Sequence, residues 1–409
     1  MQRRPASVLR VLLGSEAALG RTEAQQRLAE LGATVECALE APEQARWALG
    51  ASVEGLSCQV WMEPTPPLDL GGAVAAGLID EDQRRAARDS SFSVLVRCVL
   101  GERPLRDFHT QLRVLARLAP AGVLIVDECS RQMHPPQWLQ EVAASSTPPS
   151  PRALYALHAV SGDGRVWIHS HGLPRCGCVD LDLLEVPVDD WRAFVPLAQA
   201  VAARWIELGP PPQGEVFEPG HGIALLWLPW RAALAKVKPV GPGGSGDRDE
   251  AHGGPRAVLF AAERTWTGTK PRPIAALAPR LNGDPILYVT DGETERMALL
   301  AAERLPRFAA LLARHGAEEG WRFLAKLGYP RDGGDEAQRE HLWFEVHALH
   351  GDGADATLLS EPYDVRSLRP GERGVHDLGL LSDWLIIAPW GEFGPDEVGA
   401  LEAAEGLTH

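Results

Sequence analysis

Apolar positions along the chain fall into short runs with two different periods, and those runs predict the elements. Residues 8–13 are apolar except for Arg10 and read as a strand. Residues 22–31 place Ala24, Leu28 and Leu31 at helical spacing, with Gly32 where a C-cap belongs. Residues 33–39 then resume as a strand, so the opening reads as β–α–β. After a loop with Pro64, Pro66 and Pro67 comes a polar helix near 80–89, then a β-prone run at 92–100. Leu105, Phe108, Leu112, Leu115 and Leu118 form one helical stripe, and 123–126 is a wholly apolar strand.

Beyond the Ser/Pro stretch at 145–151, residues 154–160 and 165–171 read as a hairpin turning at Gly162-Asp163-Gly164. A strand at 178–186, an amphipathic helix at 191–208 and a strand at 223–228 follow. Residues 241–255 combine glycine, proline and charge with almost no apolar content, which predicts a mobile connection. Further strands are expected at 257–262, 285–290, 342–349 and 385–387. A long helix is expected after Thr290-Asp291-Gly292-Glu293, kinked at Pro306. The pattern predicts an α+β protein: tandem α/β sandwich-like domains whose mixed or antiparallel sheets are covered by amphipathic helices. The boundaries fall at 1–148, 149–240, a flexible linker at 241–256, and 257–409.

Composition changes this picture little. At 409 residues, 45% hydrophobic and 23% charged, the chain is too long for one core and too apolar for disorder. The net charge of −15 argues against nucleic acid or an anionic membrane as a partner, since phosphates would repel it. No apolar run reaches the roughly 18 residues of a membrane span, and the first 20 residues lack a signal-peptide core. The six cysteines are not spaced as a disulfide framework, so a reducing cytoplasm is expected.

Chemistry concentrates at 166–185. On a strand, His169 and His171 project to one face, as do Cys178, Asp180 and Asp182. Paired imidazoles facing thiols suggest a divalent-metal site of His169, His171, Cys176 and Cys178, although Cys176-Gly177-Cys178 is tighter than structural zinc spacing. A metal-free ligand site would use His169, His171, Arg175 as an anion clamp, Asp180 and Glu185. The plain alternative is a polar hairpin face with thiols packed as small hydrophobes. Trp343 and Trp384 read as packing anchors, and Asp383 as a turn or cap residue. His134 near Cys129 lacks a third orienting group.

Residues 293–387 resemble the YegJ-like family of bacterial proteins of unknown function. The likeness rests on Glu293-Thr294-Glu295, Trp321-Arg322-Phe323, Lys326, Glu340-His341-Leu342-Trp343, Glu361-Pro362, Leu368-Arg369-Pro370-Gly371 and Asp383-Trp384-Leu385-Ile386. The upstream part is similar to a companion bacterial domain of unknown function, through Asp127, Ser130, Trp138, Leu154-Tyr155, residues 167–173, Arg175-Cys176-Gly177 and Leu183-Leu184-Glu185. The resemblance implies a bacterial α+β protein and brings no catalytic residues with it. The expected function is therefore a soluble, non-catalytic binding or regulatory protein, in a specific version a toxin-neutralising one, that meets a protein partner or small ligand at the hairpin. The competing expectation is a hydrolase built on His169 and His171.

Overall fold

Strand β1 (Ser7–Leu13) is buried on both faces, which is why its apolar residues occupy both parities. Arg10 sits in that run because Glu63 and Glu128 pair with its guanidinium, at 2.9 and 2.7 Å. The structure, a computed structural model, describes residues 4–14, 19–37, 41–71, 79–266, 268–283, 285–334 and 338–407. Around β1 stand β2 (Thr34–Cys37), β3 (Trp47–Val53), β4 (Leu56–Pro64), β5 (Phe92–Cys98), β6 (Gly122–Asp127) and β7 (Met133–His134). Their order is β2-β3-β4-β5-β1-β6-β7, antiparallel throughout. The β–α–β opening is present in the order of elements, with helix Arg21–Glu30 between β1 and β2, but three strands separate β1 from β2 in the sheet. The β3–β4 hairpin, turning through Glu54 and Gly55 at positive φ, supplies two of them.

The second sheet holds β8 (Ala156–Gly162), β9 (Arg165–His171), β10 (Asp180–Pro187), β11 (Phe217–Gly220), β12 (Ile223–Pro229) and β13 (Arg256–Thr265). Its order is β11-β12-β13-β10-β9-β8, with β14 (Gly268–Arg272) also paired to β13. Every pair is antiparallel except β10–β13. One continuous apolar core joins the inner residues of the first two sheets to helices Pro104–Leu118, Pro136–Ala144 and Trp191–Leu208. The Ser/Pro stretch at 145–151 therefore marks no break in the core, and Ser145 and Thr147 within it are buried. Residues 285–290, expected as a strand, contribute only an isolated bridge from Leu287 to Gly220.

The chain divides into two compact units, Met1–Thr290 and Asp291–His409. The boundary expected at 241–256 fails because β13, just beyond it, is an inner strand of the second sheet. The C-terminal unit has β15 (Arg322–Pro330), β16 (Arg339–His350), β17 (Gly353–Leu358), β18 (Arg373–Asp377), β19 (Leu381–Ala388) and β20 (Gly391–Phe393). They run antiparallel in the order β18-β17-β16-β15-β19-β20. Helix Asp291–His315 packs Phe308, Leu311 and Leu312 into this unit's core, and the Trp384 indole donates to the Ala301 carbonyl. Among the described residues, no helix is long and apolar enough to cross a membrane.

Candidate functional site

The alternation of β9 divides its side chains between two environments. Val166 and Ile168 enter the main apolar core with helix Trp191–Leu208. Trp167, His169 and His171 take the opposite parity, where Trp167 joins a smaller cluster with Leu184, Leu226, Val258 and Phe260. The tight turn at Asp163 and Gly164, both at positive φ, sets the β8–β9 register. That register puts His158 directly across from His169. The segment between β12 and β13 then passes over this face and delivers His252 to it.

Four imidazoles meet there. The ring centroid of His171 lies 5.1 Å from that of His169, 5.0 Å from His158 and 5.0 Å from His252. His169 lies 4.9 Å from His252 and stacks on Trp167 at 4.0 Å. The Nε2 atoms of His169 and His252 are 3.2 Å apart. One ring nitrogen each from His158, His169 and His171 lies within 4.8 Å of the others. His169 is 3% exposed and His171 4%. Burial, then the neighbouring imidazole, pushes the His169 pKa down to about 2. Burial, then His158, pushes His171 down to about 3. Both rings are neutral at cellular pH, the form in which imidazole binds a metal. His252 Nδ1 contacts the Asp249 carboxylate at 2.7 Å, which orients the ring with Nε2 toward His169.

An ion-pair network carries this layer. Asp182, fully buried, accepts from the Trp167 indole, from Arg256 Nε and from Arg248, each at 3.0 Å. Arg248 also lies over the rings of Trp167 and Trp230, at 5.0 and 4.8 Å. The segment expected to be a flexible linker is thus tied to the sheet by its own charged residues. Its glycines permit close approach: Gly243, at φ +105°, passes so near that a Cβ would lie 2.5 Å from Leu184 Cδ2.

The other predicted site residues do different work. Arg175 is 1% exposed, makes a bidentate pair with Asp127 at 3.0 and 2.5 Å, and donates to the Leu154 carbonyl. It is a buried tie between the two sheets of its unit and has no face open to an anion. Asp180 accepts from Ser170 Oγ at 2.8 Å and lies 3.7 Å from Arg256; burial raises its pKa to about 6. Glu185, at φ +60° on a bulge of β10, accepts from the amides of Val240 and Gly241. Cys176 and Cys178 belong to the main core, where burial pushes both thiols up to about 12 and Cys178 donates to the Trp205 carbonyl. The mixed His/Cys ligand set is corrected accordingly: the thiols pack as hydrophobes and the histidines gather with each other.

Trp167 shares the parity of His169 and His171, whereas His158, Asp249 and His252 are the members that strand alternation around 166–185 does not reveal. His158 was within reach, because a two-residue turn at Asp163-Gly164 counts back to 158 opposite 169. Nothing periodic marks His252.

Comparison with protein families matches residues 7–149 to "Protein of unknown function (DUF4026) N-terminal" and residues 157–260 to "Protein of unknown function (DUF4026) C-terminal". The expected pair of unknown-function domains is present, and all four histidines lie in the second. Neither the curated proteins nor the solved structures include a match. The YegJ-like likeness drawn for 293–387 remains a likeness, since the matches fall upstream of it.

Proposed function

For a chain that carries both domains of the DUF4026 pair, we propose a non-catalytic binding role in which His158, His169, His171 and His252 hold one transition-metal ion of the zinc type. The observation that carries this reading is the 3.2 Å separation of the His169 and His252 Nε2 atoms within a ring of four imidazoles. Ligands at the usual Zn–N distance of about 2.0–2.1 Å stand about 3.3 Å apart along a tetrahedral edge. Depressed pKa values favour the reading too, because these rings need not shed protons to bind. Arg248 and Arg256 are paired with Asp182, and Arg256 lies 3.7 Å from Asp180, but Arg256 still acts on His158, His169 and His171, and Arg131 on His158 and His171, so an ion held here has a residual positive field to overcome.

Hydrolysis is less well supported. A catalytic zinc keeps one position open to water, whereas His169 and His171 are only 3% and 4% exposed, and in the proposed reading His252 would supply the fourth ligand. A toxin-neutralising role draws support from the charge of −15 alone, which would suit any basic partner.

Elemental analysis of tag-free protein is expected to give about one zinc per chain. Cobalt substitution should produce the visible absorption of a tetrahedral site, and His171→Ala or His252→Ala should each weaken zinc by more than about 100-fold. Protein that takes up no metal, with a Tm unmoved by chelator or zinc, would leave the imidazoles as a packed polar stack and end the proposal.

A further inference from the structure

The C-terminal unit contains a cleft of about 620 Å³ whose walls include Asp291, Glu295, Arg331 and Arg339, with His341 and Ser382 also lining it. His341 and Ser382 come from β16 and β19, which are not neighbours, since β15 runs between them. Their side chains nevertheless meet, with His341 Nδ1 2.8 Å from Ser382 Oγ. The bond crosses β15 at Gly328, where a Cβ would stand 3.1 Å from His341 Cε1. Ser382 Oγ donates its one proton to the Lys326 carbonyl at 3.0 Å, so Nδ1–H of His341 donates to Ser382. That tautomer makes Nε2 an acceptor. Burial, Lys326, Arg339 and Arg331 all hold the His341 pKa below its ordinary value, which keeps the ring neutral.

The walls carry charges of both signs, the carboxylates of Asp291 and Glu295 and the guanidiniums of Arg331 and Arg339. Arg339 gives one N–H to the Gly328 carbonyl, and Arg331 lies 3.5 Å from Asp364. A simple anion entering the cleft would meet two carboxylates, and a simple cation two guanidiniums. The carboxylates come from helix Asp291–His315 and the guanidiniums from the β15–β16 end, so a small molecule bearing both charges can meet an opposite charge from each element. We propose that this cleft binds a zwitterion of the amino-acid class, its carboxylate toward Arg331 and Arg339 and its ammonium toward Asp291 and Glu295, over the neutral His341–Ser382 floor.

The test uses the full chain and the free L-amino acids as individual probes, read by calorimetry. At least one is expected to bind with a Kd of about 1 mM or tighter. Its N-acetyl derivative and its amide should each bind at least tenfold more weakly, as should the free amino acid to Glu295→Gln and to Arg339→Gln. Both substituted residues are exposed, so these variants keep the fold. Binding of none of the probes would overturn the proposal. So would an N-acetyl form as tight as the free amino acid, or a Glu295→Gln variant of unchanged affinity. None of these readouts involves zinc, so the outcome is independent of the histidine cluster.

Discussion

Single residues here act mainly through what burial does to their charge. Arg175 and Asp127 are each about 1% exposed and answer each other. Asp127→Ala would strand a buried guanidinium, and the unfolding free energy from urea titration is expected to fall by about 3–5 kcal/mol. Under the proposed metal reading, Asp249 would act on the ion only through His252, whose Nδ1 it contacts. Asp249→Asn should therefore weaken zinc by about 10–100-fold with little change in stability of the metal-free chain. His134 stacks on Trp138 at 3.8 Å with its Nε2 shielded and unpaired among the described residues; burial holds its pKa down to about 4. Above about pH 6.5 the ring is neutral in folded and unfolded chains alike, and contributes no pH dependence. Between about 6.5 and 4 only the unfolded chain takes up the proton, so stability falls with pH by up to about 1.4 kcal/mol per unit. His169 and His171 contribute in the same direction over this window, so His134→Phe should reduce the stability difference between denaturation curves at pH 7 and pH 5 without abolishing it.

At the scale of elements, the hairpin was legible and the segment above it was not. Alternation along β9 put His169 and His171 on one side because period-two geometry is local, and their rings do stand 5.1 Å apart. The same reasoning set Cys178 beside the site, but the chain turns at Gly177 and the thiol goes into the core. Residues 241–255 look like a linker because glycine and proline supply no apolar period. Their attachment comes instead from Arg248 on Asp182 and from the amides of Val240 and Gly241 on Glu185, long-range pairings that no local pattern encodes. Gly243→Ala probes this element without touching an imidazole. A methyl group at φ +105°, 3.0 Å from Trp167 Cγ, should cost about 1–3 kcal/mol and loosen zinc by lifting His252.

For the whole molecule, the α+β class followed from the mixture of periods, while strand order and the unit boundary did not. Neighbours in the second sheet come from distant stretches of chain, as β13 beside β10 shows. Truncation locates the boundary directly. A chain ending at Thr290 keeps β13 and the core residues Ile274, Ala278 and Leu281, and is expected to give a dispersed amide NMR spectrum. A chain ending at 256 loses that inner strand and should be collapsed or aggregated.

The parallel pairing of β10 with β13 also has a consequence for synthesis. β10 ends at Pro187, but its neighbour begins only at Arg256, so on the ribosome β10 must wait with an open hydrogen-bonding edge. At about 5–20 residues per second that interval lasts several seconds. His252 emerges immediately before the strand that ends the wait. All four imidazoles are thus synthesised while β10 still lacks its neighbour, so under the proposed metal reading the nascent chain can meet an ion before the sheet closes.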